Sequence, residues 1–246
     1  MLERNMDNKI AMITGSAKGL GRAMAIHLAK KGYDIIIHYQ RSEQAATQLQ
    51  QEIESYGQKA LVQQADVTKE TDVKRMMEEV GNTWGALDVL INNVGNYIKK
   101  SITKTSVNEW HAMLDSNLNS TFYCIYHALP LLQKSSSDLT KHIINIGFAS
   151  LGQSTAQAMV APYYIAKNGV LILTKSFAQE LAGENINVNM LSPGVLENSE
   201  SKPIQEIPKG KLATFAEFNH VLDMLLAPNG QYLTGVNIEV AGGWKL

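Results

Sequence analysis

A tyrosine and a lysine four residues apart form the most reactive pair of side chains in this sequence. Tyr163 and Lys167 lie in a segment, Pro162 to Leu181, that we predict to be one long helix. Residues four apart share a helix face, so the two side chains point the same way, whereas Tyr164 points elsewhere. A phenol can give a proton to a carbonyl oxygen, and a nearby ammonium stabilises the phenolate that remains. The pair predicts acid/base chemistry on a carbonyl group, although a helix can also carry such a pair by chance.

A glycine-rich turn near the start of the chain is the second feature that could do chemistry. The segment Thr14–Gly21 joins a predicted strand to a predicted helix, Leu20 to Lys31. Glycine lets the backbone approach a pyrophosphate closely, and a helix N-terminus offers free N–H groups to it. A strand-to-helix turn without a ligand is the alternative. The residues that we expect to bind the coenzyme here are Gly15, Ser16, Lys18, Gly19, Leu20 and Gly21.

The end of the second predicted strand indicates which coenzyme is used. NAD-binding sites place an acidic residue there, but the sequence continues with Gln40, Arg41 and Ser42 instead. Arg41 and Lys18 are placed by topology to bind a 2′-phosphate, and each charge-assisted hydrogen bond contributes about 1.5–3 kcal/mol. The sequence therefore predicts NADP(H), with Ser42 in the same turn, unless both cations are only solvated surface charges.

Two further turns follow the third and fourth predicted strands. Asp66 and Val67 are expected at the adenine ring, although Asp66 could equally start the next helix. That helix lies within Asp66 to Trp84, and Thr68 is its predicted N-cap. Asn93, Val94 and Gly95 are small or polar enough for the chain to pass close to the coenzyme, unless they form a turn without a ligand. We expect the neighbouring Asn92 to hold adjacent strands together.

Strands and helices alternate along the whole chain, which indicates a parallel sheet with helices on both faces. We predict an α/β fold, a single doubly wound Rossmann-type domain over residues 1–246, with about seven strands and an exposed substrate loop at 194–212. A break is expected near Asn117 in the helical stretch Ser106 to Leu132. The predicted strands are Ile10–Thr14, Asp34–Tyr39, Ala60–Gln64, Leu87–Ile91, His142–Ile146, Ile186–Leu191 and Val236–Val240.

Composition argues against several other classes of protein. Lys and Arg number 22 and Asp and Glu number 23, so no net charge attracts nucleic acid or an anionic membrane. No stretch resembles a membrane span or a signal peptide. The single cysteine, Cys124, permits no intrachain disulfide and is expected to be buried and inert, and the six histidines lack metal-ligand spacing. We expect a cytoplasmic protein without a bound metal.

Taken together, these motifs resemble the short-chain dehydrogenase/reductase family over essentially the whole chain. The resemblance rests on the glycine-rich turn, the Tyr163 and Lys167 pair, and four further motifs: Asn92–Gly95, Asn117, Ser192–Gly194 and Tyr232–Gly235 with Gly242 and Gly243. It implies hydride transfer from a nicotinamide and a homo-oligomer, a tetramer or a dimer.

The same resemblance implies roles for individual residues. Tyr163 would be the acid/base, Lys167 would hold the nicotinamide ribose, and Asn117 would kink its helix and keep a relay water in place. The residues expected to line the nicotinamide pocket are Pro193, Gly194 and Val195.

One element departs from the family's pattern, which has a serine just after the fifth strand to hold the substrate carbonyl. Counting from Asn145 without gaps gives Phe148, which cannot form a hydrogen bond, whereas counting back from Tyr163 gives Ser150. We expect Ser150 to take the role, because a loop can absorb two residues and the chemistry needs a donor. Ser154 is a further alternative.

Within the family, the sequence most resembles 3-oxoacyl-carrier-protein reductases and, more loosely, pteridine reductases. The resemblance implies reduction of a 3-oxoacyl thioester by NADPH, with another small carbonyl compound or a quinone as the alternative. An acidic acyl carrier protein would need exposed cations, and Lys99, Lys100 and Lys104 could serve unless they are ordinary surface charges. An NADPH-binding scaffold or redox sensor is the non-enzymatic alternative, and Phe148 is its only support.

Overall fold

Short apolar runs form a central parallel sheet in the computed structural model, which describes residues 9–135, 140–152 and 155–245. Most of these runs are buried along their whole length because helices cover both faces of the sheet. The strands are β1 (Ile10–Ile13), β2 (Asp34–Tyr39), β3 (Ala60–Gln64), β4 (Val89–Asn92), β5 (Lys141–Ile146), β6 (Ile186–Pro193) and β7 (Asn237–Val240).

The strand order is β3-β2-β1-β4-β5-β6-β7, and every neighbouring pair is parallel. The first three strands lie on one side of the sheet, with β1 innermost, and the last four lie on the other side, with β4 next to β1. The connections on the two sides of this boundary diverge, which leaves a crevice at the carboxyl ends of β1 and β4. The predicted fold class is confirmed.

Seven α-helices of the described residues form the outer layers. Alternate residues of β1 face opposite layers: Ala11 and Ile13 pack with the first, second and seventh helices, and Ile10 and Met12 pack with the third, fifth and sixth. The helices are α1 (Gly19–Lys30), α2 (Glu43–Ser55), α3 (Glu70–Trp84), α4 (Val107–Leu114), α5 (Ser120–Gln133), α6 (Ala161–Leu181) and α7 (Phe215–Leu226).

Cys124 lies in α5 and is buried in the second layer, as expected. Burial raises the pKa of its thiol to about 12, so the reactive thiolate is not formed at neutral pH. Among the helices of the described ranges, none combines the length and apolar character that a membrane crossing requires.

The start of α3 differs from the prediction that Thr68 caps it. The helix begins at Glu70, Lys69 takes the cap position, and no side chain caps the first turn. Thr68 instead donates its hydroxyl to Asp66 Oδ1 at 2.7 Å. The prediction was wrong because the threonine closes the turn before the helix rather than the helix itself.

Candidate active site

The turn between β1 and α1 is shaped for a bound pyrophosphate. Gly15 has a φ of 65°, and a Cβ on Gly21 would lie 2.5 Å from the Gly15 carbonyl oxygen. Neither position tolerates a side chain without rearrangement. Lys18 precedes α1, and no side chain caps the helix, so its first N–H groups remain available to an anion. The predicted glycine-rich segment therefore forms a cradle that fits the phosphates of a dinucleotide.

His38 holds this cradle in place, a role that the sequence analysis missed. Its Nδ1 accepts a hydrogen bond from Gly15 N–H at 2.9 Å, so Nε2 must carry the proton that it donates to Ala65 O at 3.1 Å. Burial lowers the pKa of His38 to about 4, which keeps the ring neutral. The only available clue was an ionisable residue within the apolar strand β2.

The residues expected to select the coenzyme lie beside the cradle. Arg41 and Lys18 are both exposed, and neither makes an ion pair within the described part of the chain. Ser42 occupies the cap position of α2, although its hydroxyl accepts no bond from that helix. Both cations are therefore available for a phosphate, and their role stays a prediction.

The turns after β3 and β4 are tied by local hydrogen bonds. The Asp66 carboxylate accepts from Thr68 N–H at 3.1 Å, so it stabilises its own turn, while Val67 is buried beside it. Thr14 Oγ1 accepts from the N–H groups of Asn93 and Val94 at 2.9 and 3.2 Å. These bonds join the ends of β1 and β4 at the crevice.

Asn92 joins two strands as expected, because its amide donates to Asn145 Oδ1 at 2.9 Å between β4 and β5. This bond crosses a buried part of the sheet at its carboxyl edge.

Asn117 lies in a π-helical segment, Asp115–Asn119, which separates α4 from α5. The predicted break is confirmed. The side-chain amide of Asn117 donates to Asn96 O at 2.9 Å and to Met113 O at 3.0 Å. Its Oδ1 is buried and has no hydrogen-bond partner among the described residues. A Cβ on Gly95 would collide with this Oδ1 and lie 3.4 Å from Lys167 Nζ. Asn117 and Lys167 therefore approach the same small space, which only glycine leaves open.

Lys167 is buried at the carboxyl end of β5. Its Nζ donates to Ile146 O at 2.7 Å and lies 5.9 Å from the centre of the Tyr163 ring. The predicted proximity of the two side chains is confirmed. Burial lowers the pKa of Lys167 to about 8 because the ammonium is withdrawn from water.

Tyr163 is surrounded by aromatic rings. The Tyr97 ring lies 5.0 Å away at 87°, and the Phe148 ring lies 5.5 Å away at 78°. Burial, and then the neighbouring Tyr97, raise the pKa of Tyr163 above its ordinary value. The phenol therefore holds its proton at neutral pH, which is the form that can donate to an oxygen atom.

The role expected of Ser150, holding the substrate carbonyl, stays a prediction. Within the described residues no hydrogen bond joins its hydroxyl to Tyr163, and Phe148 packs on the tyrosine instead. Ser150 has a φ of 75°, and its N–H donates to both carboxylate oxygens of Glu239 at 3.0 Å. The loop uses the peptide groups of Ser150 to turn. The alternative, Ser154, lies outside the described residues.

The residues expected to line the nicotinamide pocket lie at the carboxyl end of β6. That strand ends at Pro193, Gly194 N–H donates to Val240 O at 3.0 Å, and Val195 is buried. A Cβ on Gly194 would lie 2.7 Å from Ala241 Cα, so a larger residue would push β6 and the segment after β7 apart. The following loop reaches back to α1, where Asn198 Nδ2 is 3.2 Å from the position of a Cβ on Gly19.

The carboxyl edge of the sheet therefore brings together a phosphate cradle, a buried lysine and a protonated tyrosine. The residues present fit a nicotinamide dinucleotide: the cradle would hold its phosphates, and Lys167 would face its ribose. The arrangement can deliver a proton to an oxygen atom bound near the Tyr163 hydroxyl.

Comparisons with known proteins agree with this geometry. Residues 9–207 match the model of the short chain dehydrogenase family. The chain is 31% identical to the 3-oxoacyl-[acyl-carrier-protein] reductase FabG of Staphylococcus epidermidis, over 96% of this chain and 98% of that protein. It is 32% identical to the Staphylococcus aureus protein of the same name, over 96% and 97% of the two chains.

Two solved structures show the same fold. A Pseudomonas aeruginosa RhlG/NADP active-site complex is 28% identical and has a TM-score of 0.88, covering 97% of this chain and 96% of that one. A blue fluorescent protein from a metagenomic library, in complex with NADPH, is 26% identical and has a TM-score of 0.88, covering 99% and 100%. The sequence match and the shared fold both span nearly the whole length, and the chain therefore belongs to the short-chain dehydrogenase/reductase family, whose members are NAD(P)-dependent oxidoreductases acting on carbonyl or hydroxyl groups.

Proposed function

We propose that the protein reduces a carbonyl compound to an alcohol with NADPH. The observation that carries this proposal is the protonated phenol of Tyr163 beside buried Lys167, at the sheet edge that also holds the phosphate cradle. An NADPH-binding scaffold would use Lys167 for the ribose, but it would have no use for a proton donor beside that lysine.

Each residue of the site has a part in this reaction. NADPH, held by the cradle and Lys167, would supply the hydride that the carbonyl carbon needs. Tyr163 donates its proton to the carbonyl oxygen, so that one C–H bond and one O–H bond form and the C=O double bond becomes single. Lys167 stabilises the phenolate that remains, and the unpartnered Oδ1 of Asn117 supports a water that returns a proton to the pair.

The preference for NADPH is supported by charge. Arg41 and Lys18 lie beside the cradle without an acid at the end of β2, and two related structures contain NADP or NADPH. A 2′-phosphate bound between the two cations would favour NADPH over NADH.

Two substrate classes are compatible with the site. The names of the relatives support a 3-oxoacyl thioester carried on an acyl carrier protein. For docking of such a carrier, Lys99 and Lys104 are exposed, whereas Lys100 is paired with Glu109 at 2.8 Å. The aromatic side chains around Tyr163 support the second class, a planar carbonyl compound such as a pteridine or a quinone.

The protein is also proposed to form a homo-oligomer. Apolar side chains remain exposed on two adjacent helices, and three of their aromatic rings are grouped together. These residues, which we call the α5/α6 face, are the exposed Phe122, Tyr126, Ile165 and Ile172 and the half-buried Phe177.

The first test measures NADPH oxidation with an acetoacetyl thioester and a quinone, for the wild-type protein and Tyr163→Phe. We expect the wild type to turn over at least one substrate and the variant to lose about a hundredfold or more, because the proton donor is gone. NADPH binding by the variant should stay within a few-fold and serves as the control for folding. Turnover by the variant at the wild-type rate would contradict the role of Tyr163, and NADPH binding without any turnover would favour the scaffold.

A further inference from the structure

The Tyr163 ring is enclosed where the family's pattern has a hydroxyl donor. Tyr97 and Phe148 both pack against it edge to face, and the Tyr97 side chain is 55% exposed, so part of this aromatic surface is open to a ligand. No described hydrogen bond brings a second side-chain hydroxyl to the Tyr163 phenol. A carbonyl oxygen bound here therefore meets the Tyr163 hydroxyl and, beside it, the apolar surface of the Tyr97 and Phe148 rings.

The segment after β7 extends this enclosure. The Trp244 ring lies 6.0 Å from the Phe148 ring at 89°, and Lys245 Nζ lies 4.3 Å from the Trp244 ring centre and 5.3 Å from that of Phe148. Hydrogen bonds hold the segment: Trp244 N–H donates to Ala241 O at 3.0 Å, and Lys209 N–H donates to Gly242 O at 3.1 Å. The segment thus supports the Phe148 ring.

The indole of Trp244 is polar at one atom, and that atom is not satisfied. Its Nε1 is buried and has no hydrogen-bond partner among the described residues. A buried donor without an acceptor costs free energy, which an acceptor atom on a bound ligand recovers only if the indole turns to expose the donor. A flexible aliphatic chain offers no such acceptor at its tail, whereas a heteroatom-bearing ring does.

From these contacts we propose that Phe148 and Trp244 determine substrate specificity, and that they select a planar conjugated ring ketone over an acyclic 3-oxoacyl thioester. The proposal rests on the NADPH-dependent carbonyl reduction proposed above. The reaction is unchanged: hydride adds to the ring ketone carbon, Tyr163 protonates the oxygen, and a secondary alcohol leaves. Aromatic contacts of the observed geometry each change affinity about two- to tenfold, so two of them are enough to set a preference.

The test compares kcat/KM for isatin, a planar ring ketone, with kcat/KM for acetoacetyl N-acetylcysteamine, an acyclic thioester. It uses the wild type, Phe148→Ser and Trp244→Ala. Tyr56→Ser is the matched control, because it removes an aromatic ring that is 37% exposed, at the end of α2 and at the opposite edge of the sheet. NADPH affinity and thermal unfolding report whether each variant folds.

We expect the wild type to prefer isatin and Phe148→Ser to lower the isatin-to-thioester ratio about tenfold or more, through a higher KM for isatin and a higher kcat for the thioester. Trp244→Ala should lower kcat/KM for isatin and leave kcat/KM for the thioester unchanged. Tyr56→Ser should leave both values unchanged. The proposal is overturned if the wild type prefers the thioester. It is also overturned if the isatin-to-thioester ratio stays within about twofold of the wild-type value in both Phe148→Ser and Trp244→Ala.

A binding measurement separates this proposal from the proposed reaction. Titration calorimetry of isatin into the NADP⁺-bound protein requires no turnover. Isatin binding that is about tenfold weaker in Phe148→Ser supports the proposed contact between Phe148 and a planar ring. If the wild type then reduces neither substrate, only the proposed reaction fails. Equal binding of isatin by the two proteins, or no binding by the wild type, overturns the proposal.

Discussion

At the scale of single residues, burial acts on Tyr163 and Lys167 in opposite directions. It raises the pKa of the phenol and lowers the pKa of the ammonium to about 8, so each group is moved toward its uncharged form. The phenol keeps the proton that it must give, and the lysine releases its own more readily than a solvated lysine does. Because Lys167 is the stronger acid of the two, it can return a proton to the phenolate after Tyr163 has given its own to the substrate oxygen.

Coenzyme selection also belongs to this scale. We expect Arg41→Asp to weaken NADPH binding about tenfold or more and to change NADH binding little, because only NADPH carries the 2′-phosphate that the guanidinium would meet. Equilibrium titration of both coenzymes checks this. Lys74→Asp, at an exposed position of α3, is the matched charge reversal and should affect neither. Equal weakening of NADPH and NADH by Arg41→Asp would remove Arg41 from the phosphate site.

At the scale of elements, His38 connects the turn after β1 to the turn after β3. Its ring is neutral with a native pKa of about 4, whereas an unfolded histidine has a pKa of about 6.5. Between these values the unfolded chain binds more protons, so the stability due to the neutral ring is present above pH 6.5 and is lost as the pH falls toward 4.

We expect His38→Leu to weaken NADPH binding about tenfold, because Gly15 N–H loses its acceptor, and His38→Gln to restore most of the affinity through its amide oxygen. Both variants should flatten the fall in unfolding free energy between pH 6.5 and 4. NADPH titration and urea unfolding across this range check the two effects.

The control for this prediction is His142→Gln. His142 in β5 also has its pKa lowered to about 4, first by burial and then by Lys9, but its Nδ1 has no partner among the described residues. This variant should flatten the acid dependence and leave NADPH affinity unchanged. A loss of NADPH affinity as large as that of His38→Leu would show that general destabilisation, and not the cradle, explains the effect.

The sequence predicted those features of the site that depend on local spacing. The shared face of Tyr163 and Lys167 and the break at Asn117 follow from helix geometry within one segment. The place of Ser150 does not, because its amide is held by Glu239, a residue of the last strand. For the same reason the cradle contact of His38 was missed: its partners belong to two other turns. Contacts between residues that are distant along the chain could not be predicted from local spacing, and only the structure reveals them.

At the scale of the whole molecule, the α5/α6 face is the surface most suited to a second copy of the chain. Tyr126 is 58% exposed and Ile172 is 66% exposed, and a grouped apolar surface of this kind is uncommon on a monomer. We expect the double variant Tyr126→Glu with Ile172→Glu to lower the oligomeric mass, because burying two carboxylates in the contact is costly.

Analytical ultracentrifugation at several protein concentrations checks this expectation. Ile204→Glu, which changes a comparably exposed side chain in the substrate loop, is the control and should leave the mass unchanged. An unchanged mass in the double variant would place any oligomer contact elsewhere on the surface.

The strand order has a consequence for how the chain reaches its native state. β1 is synthesised first but lies at the centre of the sheet, where Ile13 pairs with Ile37 of β2 on one side and with Ile91 of β4 on the other. A nascent chain can assemble β1, β2 and β3 early, yet one edge of the most buried strand stays open until β4 leaves the ribosome. Open apolar edges invite pairing with other chains. The centre of the finished sheet is therefore the part of the growing polypeptide most exposed to mispairing.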